Sequence, residues 1–339
     1  MSPASRFATV WALSVSANLD EPLDRLAIGP RATAVDAARL PLSWARCYFA
    51  SDSARVLQTS LGVLWLLDGA LQFQSYMYGS GFVQTLNGMA TGQPAWLGGS
   101  IAWAAGTFQA HQVALNTTFA LIQVGIGLGL LRRQTVKPAL VVSFVWALVV
   151  WWLAEGFGML FMSMNNPISG APGAAVLYAL VGTIAWPGRR PGGLFGVRGA
   201  RVAWGVLWLV MAYLWLTPPG MNANMVSEAI NGAPAGMGWL VSVQSWFAAA
   251  TRGDGLVLGL MFAGVSAAIG ATVACNWRPR PFLALAVVMN LAFWVLGQGL
   301  GGLFAGGATD PNSGPLFVLL AYAMYSLVRV PSAAPASRP

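Results

Sequence analysis

Apolar runs of about 20 residues recur along this chain, the length a helix needs to cross about 30 Å of hydrocarbon. Within lipid every backbone polar group must be satisfied by the chain itself, which leaves helices or a closed barrel. The runs are continuously apolar and do not alternate, so they read as helices. Of 339 residues, 57% are hydrophobic and 8% charged. That composition excludes an ordinary soluble domain. The 16 Trp suit helix ends, where amphipathic rings settle at headgroup level. The net charge of +8 reads as basic loops facing an anionic leaflet and not as a nucleic-acid surface.

The second constraint is a repeat. Residues 151–161 read Trp-Trp-Leu-Ala-Glu-Gly-Phe-Gly-Met-Leu-Phe, and 294–304 read Trp-Val-Leu-Gly-Gln-Gly-Leu-Gly-Gly-Leu-Phe. Trp65 pairs with Trp208, Trp96 with Trp239, Trp103 with Trp246, Phe119 with Phe262, Pro138 with Pro281 and Pro172 with Pro315, all at one offset (208 − 65 = 143). Such recurrence without gaps implies a tandem duplication. The expected fold is all-α: a polytopic integral membrane protein of two four-helix repeats, eight transmembrane helices in all, with interfacial helices in the long outer segments.

The expected organisation is a cytoplasmic arm over 1–54, a first repeat over 55–187, a linker over 188–199, a second repeat over 200–329 and a tail over 330–339. Spans are expected near 55–74, 111–131, 138–161, 171–186, 200–216, 255–275, 282–304 and 314–328. Within the arm, 38–50 has the pattern of a helix lying on the membrane surface, though a loosely packed arm fits as well. Residues 7–17 resemble a signal peptide. Cleavage there would export Arg25, Arg31, Arg39 and Arg46, against the bias of every later loop.

Arg and Lys cluster in the arm, at 132–137, 189–201 and 278–280 and at the C-terminus, while only Arg252 falls opposite. By the positive-inside rule both termini face the cytoplasm of a bacterial cell membrane. Four spans per repeat give the two repeats the same orientation. Cys47 and Cys275 both fall on the cytoplasmic side, where a structural disulfide is not expected.

Ionisable groups at membrane depth are costly and mark function. The first repeat holds Asp68, His111 and Glu155, with Gln72 one turn from Asp68 on the same face. By helical rise, Asp68 lies about 20 Å and Glu155 about 25 Å from the inner mouths of their spans, in the outer half of the bilayer. These four side chains form a candidate pocket open outward. The second repeat places Met211, Trp215, Asp254 and Gln298 at the matching positions, as one active repeat and one scaffolding repeat would. The competing reading is an interhelical lock in which the carboxylates only hold helices together. Met159, Met162 and Met164 follow Glu155 and could add thioether ligands for a soft metal such as Cu(I), though Met is also a common gap-filler.

The helix opening at Arg55, rich in Leu and closing on Asp68, Gly69, Ala70 and Gln72, resembles the first helix of the DoxX-like family. The Gly/Leu-rich stretch from Phe119 to Arg132 is similar to that family's second helix with its closing Arg. The chain also resembles multi-pass membrane proteins of high-GC actinobacteria. The resemblance implies two fused four-helix units and membrane-bound redox work, with a quinone as ligand and an extracytoplasmic redox protein as partner. It assigns no catalytic residue, and no Cys pair is present for thiol exchange. The residues thus admit a redox-linked subunit that handles quinone or protons, a carrier with Glu155 as coupling residue, or a scaffold without turnover.

Overall fold

The computed structural model describes residues 52–162, 166–188, 190–218 and 220–328. The arm, the surface helix expected at 38–50 and Cys47 lie outside the described residues, as do Met164 and the tail. Twelve α-helices occur among the described residues, and no strand. They are α1 Ser53–Leu71, α2 Ser80–Ala90, α3 Ala95–Ala110, α4 Gln112–Leu131, α5 Val136–Leu153, α6 Ala174–Ile184, α7 Gly196–Leu216, α8 Met225–Asn231, α9 Gly238–Ala250, α10 Gly255–Ala274, α11 Pro279–Leu296 and α12 Ser313–Val328.

Five of these, α4, α5, α7, α10 and α11, are long and apolar enough to cross a membrane. Their exposed faces carry Val, Leu and Met, such as Val141, Val145 and Leu148 on α5 and Val257, Leu260 and Met261 on α10. That surface is the inverse of a soluble protein's and belongs in lipid.

The halves have the same internal packing. In the first, α1 packs on α4, α4 on α5, α5 on α6, and α6 returns to α1. In the second, α7, α10, α11 and α12 do likewise. The tightest pairs have a clear cause. A Cβ on Gly127 would stand 2.8 Å from the Gly62 carbonyl, and one on Gly270 would stand 3.2 Å from that of Gly205. Glycine at these crossings lets the backbones of α1 and α4, and of α7 and α10, touch.

Helix ends are satisfied by side chains. Asp52 caps α1, its Oδ1 accepting from the Arg55 amide at 3.1 Å. Buried Arg55 donates to the last carbonyls of α4, those of Leu130 (2.9 Å) and Leu131. Gln58 donates to the Ala185 carbonyl at the end of α6 (2.8 Å). The entry arginine is therefore a C-cap, a placement the negative end of a helix dipole favours.

Two expected spans are shortened. The third ends at Leu153 and the seventh at Leu296, so neither 151–161 nor 294–304 is a continuous helix. Glu155 therefore lies beyond the spanning helix, on the turn that follows it. Glu155 N and Gln298 N donate five residues back, to the carbonyls of Val150 and Phe293. Beyond them Gly156, Phe157, Gly158 and Met159 take positive φ, as do Gly299, Leu300, Gly301 and Gly302. The glycines that would ease helix contact instead end the helix and turn the chain back. The fourth span is also short, because Pro172 and Gly173 delay α6 until Ala174. Its 11 residues cover about half the hydrocarbon thickness.

The halves join where α12 meets α6 and α1, and where α6 meets α7. They also trade loops. The turn Pro167–Ser169 packs on α11 of the second half, with the Ile168 carbonyl accepting from Gln298 Nε2 at 3.4 Å. In return the Ala308 carbonyl accepts from Gln74 Nε2 of the first half at 2.9 Å.

Candidate functional site

The site grows from three elements. Asp68 sits near the end of α1 and is 1% exposed. Trp65, one turn earlier, donates its Nε1 to Ser143 Oγ of α5 at 2.9 Å and rests its ring 4.4 Å from that of Tyr178 on α6. This packing aims the Tyr178 hydroxyl, which donates to Asp68 Oδ2 at 2.6 Å. The other oxygen, Asp68 Oδ1, has no hydrogen-bond partner among the described residues.

Glu155 reaches the same place from the turn after α5. Both its oxygens accept from the Ala175 amide, at 3.1 and 3.3 Å, so the carboxylate caps the N-terminus of α6. Anions are favoured at that end of a helix. Gly173 makes the approach possible. Its φ is +102°, and a Cβ there would stand 2.2 Å from Glu155 Oε2. Trp151 Nε1 donates to the Pro172 carbonyl at 2.9 Å and fixes the same turn.

The third carboxylate comes from the second half. Asp310 lies on the loop before α12, where its Oδ1 accepts from the Asn312 amide (2.7 Å) and its Oδ2 from the Thr309 hydroxyl (2.8 Å). Asp68, Glu155 and Asp310 all line one cavity of about 350 Å3. Burial first, and then the nearby Asp310 charge, raise Glu155 to about 8, against the lowering effect of the Ala175 and Ala174 amides. Burial also raises Asp310, offset by its bonds to Thr309 and Asn312.

The rest of the wall is aromatic and amide. Trp65, Phe82, Trp103, Phe108, Phe119 and Trp146 contribute rings. Gln72 (4% exposed) and Gln123 (6% exposed) line the cavity, and the Oε1 of each has no partner among the described residues. Trp146 Nε1 is likewise unpaired there. Among the described residues no Lys, Arg or His lines the cavity. A second cavity of about 340 Å3 lies beyond the loop, and Thr309 and Asp310 border both.

Of the residues the sequence singles out, Asp68, Gln72 and Glu155 do meet. His111 does not: it is exposed at the junction of α3 and α4 and is absent from the wall. Asp254 is exposed at the start of α10. Gln298 is buried in the second half, its Oε1 accepting from the Gly314 amide at 3.2 Å. It thus repeats Glu155's capping role without the charge. Met159 and Met162 lie on the turn beyond Glu155, outside the cavity wall. Among the described residues no three His, Cys, Asp or Glu side chains converge as metal ligands.

Sequence reasoning missed Asp310 and Tyr178. Asp310 sits among turn-formers (Thr309, Pro311, Asn312) and reads as a loop. Its only signal is that an acid stands where the first half has Pro167. Tyr178 is the only tyrosine in the fourth apolar run. Comparison with protein-family models, with curated proteins and with solved structures finds no match to this chain.

Proposed function

We propose that this chain is a proton-handling membrane carrier of tandem-duplicated, DoxX-like build, whose first repeat binds an amphiphile in the outer half of a bacterial cell membrane. Glu155 is its coupling residue. In this reading eight segments enter the bilayer, the third and seventh ending at Leu153 and Leu296 and the short α6 reaching part way, with α6 and α12 at the centre and both termini cytoplasmic. Support for the duplication is that α4 and α10, and α5 and α11, match end to end at one offset (255 − 112 = 143, 279 − 136 = 143).

The observation that carries the function is the meeting of three carboxylates in one aromatic cavity without a base. Burying three acids in a membrane protein costs several kcal/mol, and a lock needs at most one such contact. Glu155 titrates near 8, close to working pH, as a group that takes up and gives up protons must. The mouth is edged by exposed Thr85, Trp103, Thr107 and Val149. Val149 belongs to the face of α5 that carries Val145 and Leu148, so an apolar molecule can enter from lipid.

A quinone fits this wall poorly. Its two carbonyls need donors, and among the described residues no Lys, Arg or His on the wall supplies one. No step is therefore routed through a quinone.

The test is solvent extraction of the purified protein followed by mass spectrometry. One equivalent of a single amphiphile from the wild type, lost in Asp68→Asn and Glu155→Gln, supports the site. Equal recovery from all three proteins overturns it. A quinone spectrum in the extract would restore the redox reading.

A further inference from the structure

We propose that the cavity's ligand is an organic cation, an amine with N–H donors on an apolar body. The inference rests on the ligand-site reading above and names the chemistry of its occupant. Three observations agree. Asp68 Oδ1, a carboxylate oxygen, is buried with no hydrogen-bond partner among the described residues, so the partner it lacks is a donor. The acids Asp68 (from α1), Glu155 (from the turn after α5) and Asp310 (from the loop before α12) face the space together. Among the described residues the only other titratable group on the wall is Tyr178 of α6, whose proton already goes to Asp68. No described Lys, Arg or His on the wall supplies an internal counter-charge.

The rings complete the fit. An ammonium group set against Trp and Tyr faces is attracted by their quadrupoles, more strongly where water is excluded. Trp65, Trp146, Tyr178, Phe82, Phe108 and Phe119 line the same cavity as the acids. A carboxylate or a phosphate would bring a negative charge to a wall of three acids on which no described Lys, Arg or His can answer it. A neutral alkane would leave the buried Asp68 Oδ1 unpaired.

The balance is a cation for a proton. Binding of the ammonium form ionises Glu155, whose proton leaves through Asp310, the one ionisable group among the described residues that borders both cavities. No electrons move and no covalent bond between heavy atoms changes. Affinity should therefore rise as pH increases through the Glu155 titration near 8. Release of the cation returns the proton.

Titration calorimetry on the full-length protein in detergent tests this with three probes that share one body: 4-phenylbutylamine, 4-phenylbutanol and 4-phenylbutyrate. The expected result at a pH of about 7, on the protonated side of Glu155, is binding of the amine at least tenfold tighter than the alcohol, with no binding of the carboxylate. Proton release should accompany amine binding, and Glu155→Gln should abolish that release. Gln298 shows that an amide can cap the following segment at the matching position, so this variant is expected to fold. A second variant, Asp68→Asn, is expected to weaken the amine at least tenfold and to narrow its preference over the alcohol. Equal binding of amine and alcohol, or tighter binding of the carboxylate, overturns the cation inference but keeps the ligand site. Absence of binding by all three, together with an empty extract, overturns both.

Discussion

The two halves share a frame and differ in what fills it. At the offset of 143 (211 − 68 = 143), Asp68 becomes Met211, Gln72 becomes Trp215, Gln123 becomes Ser266, Trp146 becomes Met289, Val150 becomes Phe293 and Tyr178 becomes Ala321. Trp215 is fully buried and stacks on Phe262, ring centroids 4.9 Å apart, with Phe293 6.0 Å away. One helical frame is thus compatible with a polar cavity or with a packed aromatic cluster. The loops follow the same division, because the first half receives an acid, Asp310, and the second receives Ile168.

This difference teaches that the cost of the acids is local. The second half keeps the helix-ending turn, the glycine crossings and a capping side chain with Met211 in place of Asp68 and Gln298 in place of Glu155, so those features form without either acid.

The comparison can be broken most forcefully from the second half. Trp215→Gln removes a buried ring and should cost about 3–5 kcal/mol, as truncation of a large aromatic core residue does. Gln72→Trp in the first half should cost far less, since the ring enters existing space. Thermal melting of both variants checks the contrast, and equal losses would show the first cavity to be as tightly packed as the second.

Tyr178→Phe should destabilise by about 1–3 kcal/mol, because it leaves Asp68 Oδ2 buried and unpaired. Ala321→Tyr has no acid to meet and should gain nothing from its hydroxyl. Gly173→Ala should cost on the order of 1–3 kcal/mol through its positive φ and should also push Glu155 off the α6 amide. Melting curves report both.

Proton linkage separates the halves more finely. Glu155 is raised in the folded state from 4.5 to about 8, so the folded protein binds the extra proton. Its contribution is complete below the unfolded value of 4.5 and is lost as pH rises through about 8. The melting temperature of the wild type should fall between a pH of about 6 and about 9, and Glu155→Gln should flatten that slope. Gln298→Leu should leave the slope unchanged. The smallest effect is expected for His111→Ala, which should alter neither ligand recovery nor melting, since His111 is exposed and away from the cavity wall.

Much of this was legible in the residues for physical reasons. Asp68 and Glu155 stood out because an acid in an apolar run is expensive, and Gln72 followed from helical spacing. The spans expected from 111 and 138 begin at Gln112 and Val136, so the third takes in Val136 and Lys137 ahead of Pro138. The turn at 154–162 was hidden, because Gly156 and Gly158 have the same signature in a helix crossing as in a chain reversal. Asp310 was hidden for a different reason. Its role depends on a loop crossing between halves, far from Asp68 in sequence (310 − 68 = 242), and no local pattern encodes it. His111 looked like a pocket residue because chain order puts it on the outer side, but its position at a helix junction points it to the surface.

The asymmetry between halves is tested most directly by the stoichiometry of 4-phenylbutylamine binding, measured by titration calorimetry on the wild type and on Asp68→Met/Gln72→Trp. That double variant gives the first half the residues of the second. One site per chain in the wild type and none in the folded variant is the predicted result. Two sites per chain, or one that survives the substitution, would contradict the account.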